Sequence, residues 1–162
     1  MTDQAVAINH DFRRDVLTFQ KEILSLVASG EAPAPDCPLT HRFIPPDKKY
    51  GCSVYAREIL LPQGAVVVGK IHRHAHLAFL LKGIVVIVTE RGTERLVAPQ
   101  TFTSEAGVKR ALYIEEEAII TTVHLTEKCG EEWLDEIEDE VIAPSYEALD
   151  GLTSQALKEV MA

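Results

Sequence analysis

Four of the six histidines stand where their spacing could do chemistry. His72, His74 and His76 fall within five residues of one another, and His124 closes an apolar run far downstream. Neutral imidazole is the commonest protein ligand for transition metals, and three nitrogen ligands with an open fourth position make a reactive centre. On one continuous strand His72, His74 and His76 would all point the same way. A turn through Arg73-His74-Ala75 would instead put His72 at the end of one strand and His76 at the start of the next. The expected metal ligands are His72, His76 and His124, with His74 beside them or at the mouth of the site. The alternative is a polar interior of hydrogen-bonded histidines without an ion. His10 and His41 read as ordinary surface or loop residues.

Two cations belong to the same reading. Lys70 and Arg110, if turned inward, are costly unless paired or solvated. They would bind an anionic substrate such as a carboxylate or phosphate, or replace a metal's charge in an ion-free site. Otherwise each pairs with a glutamate, Glu58 or Glu90, or reaches solvent. Tyr55 and Tyr113 could each present a phenol to a bound molecule, although tyrosines on strands are more often packing residues. The chain has no Gly-rich phosphate loop, no nucleophile elbow and no Cys/His dyad at a suggestive spacing.

The elements that must position these residues divide into three zones, written as 1–50, 51–126 and 127–162. Phe12, Val16, Phe19, Ile23, Leu26 and Val27 recur at helical steps, and Gly30 closes that helix. A stretch with five prolines, from Glu31 to Tyr50, follows as an extended arm. From Ser53 to Thr126 the pattern is β throughout, with turn signals at Pro62-Gln63-Gly64, Lys82-Gly83, Arg91-Gly92, Ala98-Pro99 and Ala106-Gly107. Punctuation every eight to twelve residues or so suggests a sandwich or barrel. The strand Ala118–His124 is bulky at both odd and even positions. One face fills the core, and the other needs cover from terminal helices or a second chain, which predicts a homodimer. Trp133, Ile137 and Val141 are spaced by four and mark a short helix ending near Pro144, with Trp133 as a packing anchor. Ser145 to Met161 forms a further helix or a tail.

At 162 residues there is room for one domain with a proper core. No apolar run approaches the length of a membrane span, and Met1 to Asp11 lacks the apolar stretch of a secretory signal, which predicts a cytoplasmic protein. Cys37, Cys52 and Cys129 are far apart and odd in number, arguing against a disulfide framework. The net charge of −9 repels phosphate backbones and anionic lipid, so neither nucleic acid nor membrane is an expected partner. Ten of the 25 acids lie between Glu127 and Asp150, an acidic run that reads as a solvated helix face.

At Gly64, Lys70, His72, His76 and Gly83 the chain resembles the first motif of the cupin family, G-x5-H-x-H-x3-E-x6-G, with the spacing kept. Lys70 stands at the position of the first histidine, and His76 at that of the glutamate. The second motif, P-x-G-x2-H-x3-N, is matched at Gly107, with Arg110 and Ile114 at its histidine and asparagine positions. A hairpin turning at Glu115-Glu116-Glu117 would pair Arg110 with about Thr122 and turn His124 inward, supplying the third ligand. The resemblance implies an all-β fold: a cupin-type double-stranded β-helix, or jelly-roll barrel, with an N-terminal helix and C-terminal helical segments. The phrases Asp36–His41, Gly69–His72, Ser104–Arg110 and Thr121–His124, with Ile142–Tyr146, look like small cupin-like proteins of tailed bacteriophages and prophages, over about residues 36–148.

Three functions follow as expectations. The first is a metal-binding cupin-like protein that holds or transforms a small anionic molecule, with zinc, iron, manganese or nickel as the divalent ion. The second is a non-catalytic phage accessory or virion-associated protein that uses the barrel as a scaffold for phage protein partners. The third is a metal-free isomerase or small-ligand sensor. Catalysis itself is left open by the sequence.

Overall fold

The computed structural model describes residues 9–149. Within them, a 20-residue helix α1 (His10–Ser29) is followed by nine strands and one short helix: β1 (Leu39–Ile44), β2 (Ser53–Leu61), β3 (Val66–Val68), β4 (Ile71–His72), β5 (His76–Thr89), β6 (Gly92–Val97), β7 (Gln100–Ser104), β8 (Ala111–Thr126), α2 (Leu134–Val141) and β9 (Ile142–Ala143). The part of the C-terminal segment beyond Leu149, including most of the helix or tail expected over Ser145–Met161, lies outside the described residues.

The helix α1 starts where the Asn9 side chain accepts the Phe12 N–H and ends at Gly30, whose φ of 79° lets its N–H reach the Val27 carbonyl. Its first half packs. Arg13 pairs with Glu90 at 3.4 Å and lies 4.1 Å over the Tyr146 ring, while Val16 is buried. From its midpoint on, the helix leaves Phe19, Leu24 and Leu26 exposed. The proline-rich arm is not extended coil throughout: Leu39–Ile44 pairs with β2 as an edge strand.

The strands form one bent antiparallel sheet in the order β1-β2-β8-β5-β6, with β3 added to β8 and β7 added to β5, plus a small β4-β9 pair. The long strands β5 and β8 run the length of the barrel. On β8 the buried residues are Leu112, Ile114, Ala118, His124 and Thr126. All are even-numbered, the period of a strand with one face inward. Leu61, Leu80, Val85, Ile87, Leu112, Ile114 and Ala118 make the main core. The short helix α2 closes one end by burying Ile137 and Val141 against Tyr55. Trp133 is exposed, with Lys128 4.1 Å over its ring, so it does not serve as the expected packing anchor. The three cysteines are free thiols, and among the described residues no helix is long and apolar enough to cross a membrane.

Two turn expectations are corrected. Lys82-Gly83 is not a chain reversal, because β5 continues through it with register shifts against β8 between Leu80 and Val85. Nor does the chain turn at Glu115–Glu117, where β8 is continuous. The physical reason is shared: extra residues in a long antiparallel pair are absorbed as bulges that bend both strands. Gly83 sits at the bend with φ 87°, where a Cβ would overlap the backbone oxygens of Glu116 and Glu117.

Gly83→Ala is therefore expected to lower stability by about 3 kcal/mol or more, combining left-handed strain with overlap. At Gly92, with φ 121° and nothing within 4 Å of a Cβ, the same change should cost only the strain, about 1–2 kcal/mol. Urea unfolding of both variants checks this, and equal losses would remove Gly83 as the point of close strand approach.

Candidate metal centre

Four strands carry the site. His72 ends β4, and the chain turns through Arg73-His74-Ala75 before His76 opens β5, as the spacing predicts. The strand β8 supplies His124, which pairs in register with Tyr55 on β2. His124 faces inward because it has the parity of the β8 core residues, not because of a hairpin. Thr122, the partner expected for Arg110, pairs with Arg57 and Ala78 instead.

The side-chain ligand atoms of His72, His76 and His124 all lie within 4.8 Å of one another. Ring centroids are 4.3 Å apart for His72–His76, 4.4 Å for His76–His124 and 5.1 Å for His72–His124. His76 and His124 are buried. Zinc–nitrogen distances of about 2.1 Å place tetrahedral ligand nitrogens about 3.4 Å apart, so small side-chain rotations would close the set around an ion.

The outer contacts orient the rings as ligands need. His76 Nδ1 lies 3.2 Å from the His74 carbonyl, where Nδ1–H donates and leaves Nε2 with its lone pair. His124 Nε2 lies 3.0 Å from Thr122 Oγ1, leaving Nδ1. His72 Nδ1 is buried with no hydrogen-bond partner. A buried unsatisfied nitrogen among two other imidazoles is the observation that fits a metal.

Electrostatics keep the triad neutral. Burial first, then His76 and His124, then Arg110 and Arg57, push the His72 pKa down to about 2. Burial, His76, Arg57 and His74 push His124 down to about 3. For His76 burial also lowers the value, against a partly opposing hydrogen bond from the His74 backbone. Neutral imidazoles offer lone pairs but no compensating charge.

The other expected residues separate. Arg110 is half-buried beside the triad, donates to Ser104 Oγ at 2.9 Å and lies 5.9 Å from the Phe102 ring centroid. Among the described residues no ion pair is formed by Arg110, although the charge of Glu105, itself paired with Arg91, partly offsets the lowering of its pKa by burial. Arg110 also lines a cavity of about 680 Å³, with Phe102, Leu96 and Ile87 on its walls and the triad outside it. Tyr55 is buried against His124, at 6.0 Å between ring centroids, with its pKa pushed up to about 12 by burial, so its O–H stays a donor. That hydroxyl lies 2.8 Å from His41 Nδ1. Lys70 is exposed and 3.5 Å from Glu138; His74 is exposed on the turn; Tyr113 is exposed on the outside of β8.

Three residues near the site were not singled out from sequence. His41 orients Tyr55. Arg57 is half-buried, with its Nε 3.6 Å from Glu138, an ion-pair distance too long for a hydrogen bond. Glu138 on α2 thereby faces both Arg57 and Lys70. The odd parity of Arg57 with Tyr55 on β2 was the available signal.

No family model matches the chain, and no curated protein matches it. Solved structures do resemble it. Two of them are cupins by name. A cupin superfamily protein from Desulfitobacterium hafniense is 14% identical, with TM-score 0.43 over 60% of this chain and 86% of its own. A cupin domain from Bordetella pertussis is 17% identical, with TM-score 0.44 over 59% and 98%. A salicylate 1,2-dioxygenase from Pseudaminobacter salicylatoxidans is 15% identical, with TM-score 0.48 over 83% of this chain but only 37% of its own. At these identities the likeness concerns the fold, and no residue role passes from them.

The lowered pKa values set a pH dependence for metal-free protein. Below the ordinary histidine value of about 6.5, the unfolded chain takes up protons that the folded triad refuses. Stability is therefore full above about pH 6.5 and falls as pH drops toward the folded values of about 2 and 3. Between pH 7 and 5 the expected loss is at most about 2 kcal/mol for each of His72 and His124. Urea unfolding of chelator-treated wild type, beside a His72→Gln/His124→Gln variant with a flatter profile, checks the sign. A wild-type profile as flat as the variant's would refute it.

Proposed function

We propose that this protein is a metal-binding, cupin-like barrel in which His72, His76 and His124 hold a divalent ion and Arg110 holds a small anionic molecule beside it. The observation that carries the reading is the convergence of three buried or half-buried imidazoles from β4, β5 and β8, within 4.8 Å between ligand atoms. Zinc, iron, manganese and nickel all suit nitrogen ligands. A bound ion would supply Lewis acidity to an oxygen of the anion.

The charge balance supports the second half. Three neutral histidines contribute no negative charge, and Glu105, the carboxylate whose charge acts on Arg110, is already paired with Arg91. A divalent ion beside that guanidinium leaves an excess of positive charge at low exposure, which an anion relieves. The guanidinium presents several N–H donors, of which one is taken by Ser104. The neighbouring cavity has apolar walls at Phe102, Leu96 and Ile87 with room for the body of a small organic acid, and of the glutamates that also line it Glu90 and Glu105 are paired with Arg13 and Arg91 while Glu94 is exposed. Tyr55, held by His41, fixes the wall behind His124 and keeps its proton. The phrase-level resemblance to phage-encoded proteins stands beside this reading as a proposal about origin that rests on sequence alone.

Untagged protein should carry near-stoichiometric metal by mass spectrometry, lost in a His72→Ala/His76→Ala variant. Wild type that is metal-free and takes up none of the four ions would overturn the centre. Arg110→Gln should keep the metal yet bind acetate or inorganic phosphate about 10- to 100-fold more weakly by calorimetry, the value of a charge-assisted hydrogen bond. Unchanged affinity would remove Arg110 as the anion's partner.

A further inference from the structure

One buried cation plays no part in the proposed site. Lys109 is 5% exposed, yet among the described residues it forms no ion pair, and its ammonium has one hydrogen bond, to the Gly69 carbonyl at 2.8 Å. By contrast Lys70, Lys82 and Lys128 each lie within 3.8 Å of a glutamate, although all three are far more exposed. A buried ammonium without a counter-charge is costly, and it settles beside an anion or loses its proton. Burial pushes the Lys109 pKa down, with no carboxylate near enough to hold it up.

The strand register puts Lys109 there. Val68 pairs with Ala111, and the pairing runs on past the end of β3, where the Gly69 N–H donates to the Arg110 carbonyl at 2.8 Å. The same register sets Lys109 opposite Lys70. Two like charges so placed repel. Lys70 turns away to Glu138, and Lys109 stays inside. Arg110 reaches Ser104 on the triad side, so alternation sends its neighbour Lys109 to the other side of the chain.

On that side Lys109 lines a cavity of about 360 Å³ between α1, β4 and β9. Leu17, Val68, Ile71, Ala143 and the Tyr146 ring are apolar walls, and Ile71, Ala143 and Tyr146 belong to one buried cluster. Gln20 on α1 adds an amide with no hydrogen-bond partner among the described residues. The volume is at the small end of the range of about 300–1,000 Å³ usual for small-molecule sites. Ile71 faces this cavity, so the next residue, His72, faces the opposite way, toward the triad. A molecule held here lies behind β4, apart from the metal centre.

Charge and walls together select the occupant. One cation in an apolar cavity is balanced by one negative charge, and the walls are covered by a hydrocarbon body. Inorganic phosphate carries up to two charges and no apolar surface, so it suits the cavity poorly.

We propose that this cavity is a second binding site, for a monocarboxylate with a short apolar body, its carboxylate on the Lys109 ammonium and its hydrocarbon part against Leu17, Ile71 and the Tyr146 ring. The site depends neither on the metal nor on Arg110, so its failure and that of the proposed function are separable.

The test is a titration of untagged protein at neutral pH with hexanoate, acetate and inorganic phosphate, followed by amide NMR. Hexanoate should shift Gly69, Ile71 and Ala143 together along one saturating curve, whereas any hexanoate at Arg110 is read separately at Ile87, Leu96 and Phe102. Each buried methylene is worth about fourfold in affinity, so acetate, with four fewer, should bind behind β4 at least tenfold more weakly. Lys109→Met keeps the length of the side chain without its charge and should weaken hexanoate there about 10- to 100-fold, with circular dichroism to confirm the fold. Leu17→Trp fills the cavity from α1 while leaving Lys109 in place, and should weaken hexanoate at least tenfold. No saturating shift at Gly69, Ile71 and Ala143 up to about 10 mM hexanoate would overturn the proposal. So would unchanged affinity in Lys109→Met or in Leu17→Trp, or phosphate binding there as tightly as hexanoate.

Discussion

The register of β8 is the constraint on which the rest depends. This one strand pairs along its length with β2, β3 and β5, and its even positions supply the main core and the third histidine. Because side chains alternate with a period of two, a slip of one residue would turn Leu112, Ile114, Ala118 and His124 to solvent together. The core specifies the register, and the register delivers His124 to His72 and His76. The bulge at Gly83 serves the same end, letting β5 follow β8 around the bend without losing the inward face of either strand.

At the site, burial and charge act in one direction. Water is scarce around His72, His76 and His124, so their cationic forms are disfavoured, and the two neighbouring guanidiniums strengthen the effect. Each cation is handled differently. Arg57 and Lys70 share Glu138, which confines their charge to the α2 side. Arg110 has a serine hydroxyl, an aromatic ring and the more distant charge of Glu105, which Arg91 shares. That asymmetry separates the α2 side, where one carboxylate is near both cations, from the Arg110 side, where the direct contacts are neutral.

Much of this was legible in the residues, and the rest failed for identifiable reasons. His72 and His76 could be placed because a turn between them changes their direction, and that turn is present. The inward direction of His124 follows from parity alone: counting from a turn at Glu115–Glu117 and counting along the unbroken strand that is present both leave it inward. Lys82-Gly83 was misread because a Lys-Gly pair between apolar runs looks the same whether the chain reverses or bulges. The edge strand Leu39–Ile44 was hidden by the prolines on both sides of it. Arg57, His41 and Glu138 could not be assembled from sequence, since they meet only when β1, β2 and α2 are side by side.

The position of β8 in the chain has a consequence for how the molecule comes into being. The β1-β2 pair, and β6 and β7 each folded back on β5, are local pairings that can close soon after their last residue leaves the ribosome. Nothing joins them until β8, the last long strand, inserts between β2 and β5. Until then two inner strand edges stand open, and loop closure across some sixty residues sets the pace. The three histidines, on β4, β5 and β8, therefore come together only once that last insertion is made.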